Sequence, residues 1–185
     1  MLKRLSELPG PAGRERTVRE SIETLWRPLT DEIRTDAMGN LIALKSGSAA
    51  PPRRSLMIAA HMDEIGLIVT GIEDGFVRVQ SLGGTDRRLL LGLEVDVHGR
   101  TSLPGVIGSR PPHVLPASER RRVQPWSEVF IDLGLPPDEV KTQVRVGDHV
   151  TKRRTAQKLK TGRVAAKAAD KRASRVAGTF ARETL

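Results

Sequence analysis

The chain has 185 residues, of which 38% are hydrophobic and 29% charged, with no cysteine and a net charge of +9. That length and composition suit one ordinary folded domain, or one and a half small ones. The lack of cysteine excludes disulfides and thiolate metal sites, and no run approaches the roughly 18 apolar residues of a membrane span.

The start, Met1-Leu2-Lys3-Arg4-Leu5 followed by Ser6, Glu7 and Pro9, lacks the apolar stretch of a secretory signal, so a cytoplasmic location is expected. Residues 2–8 are expected to form a short helix stopped by Pro9-Gly10-Pro11. Residues 14–27 read as an amphipathic helix, because Val18, Ile22, Leu25, Trp26 and Leu29 recur at helical spacing and Pro28 closes it. Ile33-Arg34-Thr35 and Leu41-Ile42-Ala43-Leu44 read as two strands joined by a turn over Ala37-Met38-Gly39-Asn40. Residues 46–54 are rich in Ser, Gly and Pro and read as a surface loop. The apolar run Leu56-Met57-Ile58-Ala59-Ala60 is then expected as a buried strand.

From Ile65 the pattern becomes short β-like runs punctuated by glycines, over 65–72, 76–81, 94–98, 104–108 and 128–132. Such a series suits a small barrel or sandwich. A long loop is expected around Pro111-Pro112-His113 and residues 118–122, a short helix over 137–144, and a last strand pair with a turn over 144–150. Residues 171–185 return to helical spacing through Ala173, Val176, Ala177 and Phe180. The expected organisation is an α/β domain begun by residues 1–70, interrupted by a β-rich domain over 71–160 and resumed over 161–185.

The densest chemistry is in His61-Met62-Asp63-Glu64-Ile65-Gly66. Side chains alternate along an extended chain, so His61 and Asp63 share one face while Met62 points away. A metal-binding histidine usually gives its second ring N–H to a carboxylate, and His-x-Asp can supply both groups locally. A lone histidine is ordinarily a core or surface residue; the aspartate two positions on makes this one a candidate ligand. Glu64 is expected to point away from His61 and receives no catalytic role. Residues 151–185 hold eleven Lys or Arg against Asp170 and Glu183, a surplus that equals the whole net charge of +9. A basic tail is a possible nucleic-acid footprint. Phe180 is its one aromatic, which argues against stacking on single strands.

These segments, taken in order, resemble the glutamyl or deblocking aminopeptidases, also called tetrahedral aminopeptidases. They are dinuclear zinc or cobalt metallopeptidases, some of whose members carry the name cellulase M or endoglucanase. The resemblance rests on Leu8-Pro9-Gly10-Pro11-Ala12-Gly13-Arg14-Glu15, on Asp36-Ala37-Met38-Gly39-Asn40-Leu41 and on the hexapeptide from His61. It continues through Leu82-Gly83-Gly84, Gly105-Val106-Ile107-Gly108, Pro111-Pro112-His113, Ile131-Asp132-Leu133-Gly134 and Val146-Gly147-Asp148. The return segment, Gly162 to Arg172, looks like the family's Gly-Lys-Ala-x-Asp-Asp-Arg, with Lys171 standing where an Asp is usual.

The resemblance implies a zinc-peptidase-like α/β catalytic domain, incomplete here, interrupted by a β-barrel-like domain that takes part in homo-oligomer assembly. It implies removal of N-terminal residues from peptides by two divalent metal ions. By resemblance His61 is a metal ligand, Asp63 the catalytic carboxylate that orients it, and Asp170 the carboxylate that bridges the two metals. Asp170 before a helix is also compatible with a plain N-cap. His113 reads as a loop or interface residue, and His98 and His149 as structural. Family members are longer, and by the resemblance they carry after the bridging aspartate a Glu-Glu pair, a later acidic ligand and a final histidine. This chain has no Glu-Glu pair. It is therefore expected to be an amino-terminal or degenerate part of such an enzyme, inactive as it stands. The alternatives are a non-catalytic assembly module, a basic-tail nucleic-acid binder and a glucanase. The last lacks a convincing pair of glycosidase carboxylates.

Overall fold

The computed structural model of the chain describes residues 1–118, 120 and 122–184. The chain forms two compact units, Met1–Glu64 with Thr155–Leu185, and Ile65–Arg154.

The first unit opens with α1 (Leu2–Glu7), ended by Leu8 in extended conformation before the prolines, and α2 (Arg16–Trp26), which runs into a 3-10 turn at Arg27–Leu29. Val18, Ile22 and Trp26, four residues apart, bury one stripe of α2 with Leu5, Leu41 and Met62. Strands β1 (Glu32–Thr35) and β2 (Leu41–Leu44) form an antiparallel hairpin in which Thr35 faces Leu41. Its turn is tied by Asp36, whose Oδ1 accepts from the amides of Met38 and Asn40, and by Gly39 at φ +85°.

The second unit is a closed six-stranded antiparallel barrel. Its strands are β3 (Gly66–Glu73), β4 (Phe76–Leu82), β5 (Glu94–His98), β6 (Ser102–Gly108), β7 (Phe130–Asp132) and, after the short α3 (Pro137–Gln143), β8 (His149–Lys152). Round the barrel the order is β3-β4-β7-β6-β5-β8. Asp74 and Gly75, both with positive φ, make the two-residue turn between β3 and β4, the geometry that matches strand twist. Alternate residues point inward: Leu67 and Val69, Val77 and Val79, Val95 and Val97, with Ile107, Ile131 and Val150, all buried. Gly105 lets β6 approach β7, since a Cβ there would lie 2.6 Å from the Ile131 Cγ2. After the barrel, β9 (Gln157–Lys158) and β10 (Val164–Ala165) pair, and α4 (Ala169–Thr184) follows. The side chains of Trp26 and Thr179 join α2 to α4 through a 2.9 Å hydrogen bond.

Two expectations are corrected. Residues 144–150 contain one strand end, not a strand pair. Val144 caps α3, and residues 145–148 form a turn before β8, with the Gly147 amide bonded to the Val69 carbonyl. The run at 56–60 is not a buried strand either. Among the described residues no sheet includes residues 53–60, and Leu56, Met57 and Ile58 are 85%, 89% and 56% exposed. Composition made this run a good strand, but a core strand also needs neighbours to bond its backbone and cover its faces.

Candidate active site

The hexapeptide begins where this exposed run enters the core of the first unit. Across His61, Met62, Asp63 and Glu64 burial alternates, with His61 exposed, Met62 and Glu64 buried and Asp63 between. This period of two persists without a sheet. Met62 anchors it in the core formed by α1, α2 and β2. His61 and Asp63 therefore emerge on one side, and His61 Nδ1 lies 2.6 Å from Asp63 Oδ1. With the ionised carboxylate accepting, Nδ1 carries the proton and Nε2 becomes the ring's basic nitrogen.

Glu64 turns the other way into a buried charge cluster. Its amide donates to the Gly10 carbonyl at 2.8 Å, and its Oε1 accepts from the Gly10 amide at 3.0 Å and from Lys167 Nζ at 3.1 Å. Gly10 is required here, because a Cβ would lie 2.6 Å from Val18 Cγ2 and 3.2 Å from Arg172 Nη2. Arg172, in the first turns of α4, is 0% exposed, and none of its three side-chain nitrogens has a hydrogen-bond partner among the described residues. Burial lowers its pKa, opposed by the negative charges of Glu64 and Asp63. An arginine nevertheless stays protonated in proteins.

Asp170 is the second residue of α4 and is exposed. The helix starts one residue before it, so it sits within the first turn, where an acidic side chain complements the helix dipole. Ala168, at φ +51°, reverses the chain just before the helix, a conformation unusual for a residue with a Cβ. It separates Lys167, which reaches Glu64, from Asp170. His113 is exposed in a 3-10 turn, and His98 Nε2 lies 2.9 Å from Thr151 Oγ1 on the barrel.

The cluster of Gly10, Lys167 and Arg172 around Glu64 did not emerge from sequence reasoning. A partial signal was present, since Pro9-Gly10-Pro11 and Lys167 to Arg172 lie in two of the family-like segments. Their convergence on one carboxylate is a tertiary fact.

Among the described residues no three His, Asp or Glu side chains are grouped so as to hold a metal ion. Catalytic zinc commonly has three protein ligands and a water, so the described residues by themselves do not fit a two-metal centre. What is present is one histidine already oriented by a carboxylate.

Residues 39–181 match the model of the M42 glutamyl aminopeptidase family. This chain belongs to that family. It is 33% identical over 138 residues to the lysyl aminopeptidase of Pyrococcus furiosus, a match covering 72% of this chain and 39% of that protein. Among solved structures, it superposes over its full length on an aminopeptidase of Desulfurococcus kamchatkensis at 37% identity and a TM-score of 0.89, covering 51% of that chain. It likewise superposes on the TET1 peptidase of Pyrococcus horikoshii, described as able to assemble into a tetrahedron or a large octahedral shell, at 34% identity and a TM-score of 0.85, covering 55% of that chain. The chain thus spans about half the length of these M42 proteins. The family-level expectation and the mixed α/β fold with its barrel hold. No helix among the described residues is long and apolar enough to cross a membrane.

Proposed function

We propose that this chain supplies part of a metal-dependent aminopeptidase site that removes N-terminal residues from peptides, and that it is inactive alone. The observation that carries the reading is the 2.6 Å contact between His61 Nδ1 and Asp63 Oδ1 in a member of an aminopeptidase family. With Nδ1 engaged by Asp63, Nε2 is the ring nitrogen left to bind divalent ions such as zinc or cobalt. In this reading His61 is a metal ligand, Asp63 its orienting carboxylate and Asp170 a further acidic ligand. The remaining ligands and the general base have no counterpart among the described residues. The peptidase would work in the cytoplasm.

The test is hydrolysis of aminoacyl p-nitroanilides with added zinc or cobalt. The chain alone is expected to be silent. Co-expressed with the part of the Desulfurococcus kamchatkensis aminopeptidase that lies outside its match, it is expected to gain activity that His61→Ala removes. Metal-dependent hydrolysis by the chain alone overturns its inactivity. A stable pair that cleaves nothing overturns the catalytic assignment.

A second reading, a non-catalytic assembly module, is favoured by the closed barrel, whose strands and core are contained in residues 65–154. The assembly behaviour of the Pyrococcus horikoshii protein supports it by analogy. Co-migration with an intact homologue on size exclusion is expected, and separate elution would refute it.

A further inference from the structure

The stretch His61–Glu64 presents its candidate residues without a sheet to hold it. Among the described residues no named strand includes it, and an isolated bridge joins Glu64 to Pro11. His61 and Asp63 emerge together because the extended chain alternates. A slip of one residue would turn both inward and Met62 outward. Their own bond is too weak to prevent this, since the two side chains are 57% and 37% exposed and compete with water. The register must be set from the buried side.

Glu64 supplies that hold. Its amide donates to the Gly10 carbonyl at 2.8 Å while its Oε1 accepts from the Gly10 amide at 3.0 Å, a closed reciprocal pair. Lys167 Nζ donates to the same oxygen at 3.1 Å, with the two side chains only 8% and 4% exposed. A buried ion pair adds little net stability over well-packed apolar side chains. What it adds is a demand for one geometry. The chain meets a further cost at the next residue, where Ala168 takes φ +51°, a strained conformation for a residue with a Cβ. That turn lets Lys167 point inward while α4 begins at once. The Ala168 carbonyl accepts from the Arg172 amide at 3.0 Å, and Asp170 lies in the first turn so opened. One carboxylate therefore fastens both segments that carry candidate residues.

We propose that Glu64 and Lys167 are positioning residues of the candidate site. Their buried pair sets the register that brings His61 Nδ1 onto Asp63, and it fixes the start of α4 and with it Asp170. The inference deepens the proposed function and rests on the reading that His61, Asp63 and Asp170 belong to one site. Neither Glu64 nor Lys167 is given any contact with substrate.

The experiment uses the full chain and nitrogen NMR of the His61 imidazole at alkaline pH, where an ordinary histidine ring is neutral. The wild type is expected to hold the Nδ1-protonated tautomer. Lys167→Met should lower the ratio of Nδ1- to Nε2-protonated ring about three- to tenfold, the loss of one hydrogen bond of ordinary net strength. It should also speed exchange of the Arg172 amide about tenfold. Because Lys167→Met leaves a buried carboxylate unpaired, the double variant Glu64→Gln with Lys167→Met is measured beside it. The double variant keeps an acceptor for the Gly10 amide, stays folded by circular dichroism and should show the same two changes. Lys167→Arg should restore the wild-type ratio. Trp26→Phe, which removes the bond to Thr179 in the same unit, should leave the ratio unchanged although it destabilises the core. A folded double variant with either readout at its wild-type value overturns the proposal. So does Trp26→Phe lowering the ratio as much as Lys167→Met, which would reduce the pair to a plain stability element. Absence of the Nδ1-protonated tautomer in the wild type removes the His61–Asp63 pair and the proposed function with it. No readout needs hydrolysis, so the catalytic reading can fail on its own test while this one stands.

Discussion

The barrel and the helical unit bury apolar side chains by the same rules and reach different ends. In the barrel every strand has two hydrogen-bonded neighbours, and Val77, Val97, Val129, Ile131 and Val150 are wholly shielded. In the other unit the sheets have two strands each, and an apolar run lies open to solvent. Closure makes the first self-sufficient. The second owes its order to helix packing around Trp26 and to one buried carboxylate; it leaves the run 56–58 exposed and Arg172 without a hydrogen-bond partner among the described residues. A closed core and an open one can thus sit in one chain, and the open one carries the His61–Asp63 pair.

That contrast can be broken at four points. The largest effect is expected from Glu64→Ala, which strips Lys167 and the Gly10 amide of their acceptor. Breaking a buried ion pair from one side costs about 3–5 kcal/mol. Urea unfolding followed through Trp26, in the same core, should shift strongly, and an unchanged midpoint would show that the cluster holds nothing together. Next, Ile131→Ala should cost the barrel about 2–5 kcal/mol, the range for large cavities in packed cores. Its counterpart, Leu56→Ala, should stay within about 0.5 kcal/mol in the lone chain, as exposed substitutions do. If the two truncations destabilise equally, the difference between the units is not one of closure.

The smallest effect concerns acid. Asp86 is exposed on the barrel unit, and bonds from the Arg88 side chain and amide hold its pKa down from the ordinary 3.8 to about 2. A depressed acid stabilises the folded state above the unfolded value, and that contribution fades as pH falls from 3.8 through about 2. A carboxyl NMR titration should find the Asp86 midpoint near 2, moving toward the ordinary value in Arg88→Ala. A midpoint already ordinary in the wild type would remove the Arg88 bond.

The barrel was legible because its strands carry their own evidence. Val77 and Val79, or Val95 and Val97, alternate with polar residues, and glycines mark where the chain turns. The hairpin at Asp36–Asn40 and the stripe on α2 could be read for the same reason. The pairing of His61 with Asp63 follows from alternation alone. Residues 56–58 were misread because their neighbours, not their composition, decide whether an apolar strand is covered. The strand forecast before β8 failed because residues 145–148 close a turn, whose Gly147 amide and Asp148 carbonyl bond to Val69 of β3. That Arg172 lacks a hydrogen-bond partner among the described residues could not be foreseen from sequence, since it depends on what distant segments place around it.

One feature of the barrel bears on how a chain tolerates such an insertion. Its entering strand, β3, and its leaving strand, β8, are antiparallel neighbours, with Leu67 opposite Val150 and Ile68 opposite His149. Adjacent strands lie about 4.8 Å apart. For the polypeptide on either side, the detour through residues 65–154 therefore begins and ends almost at one point. Once the barrel has folded, closing that detour resembles closing a tight turn and not a ninety-residue loop, whose entropy would in any case grow only logarithmically with length. The surrounding unit can then assemble as if its two pieces were contiguous in sequence.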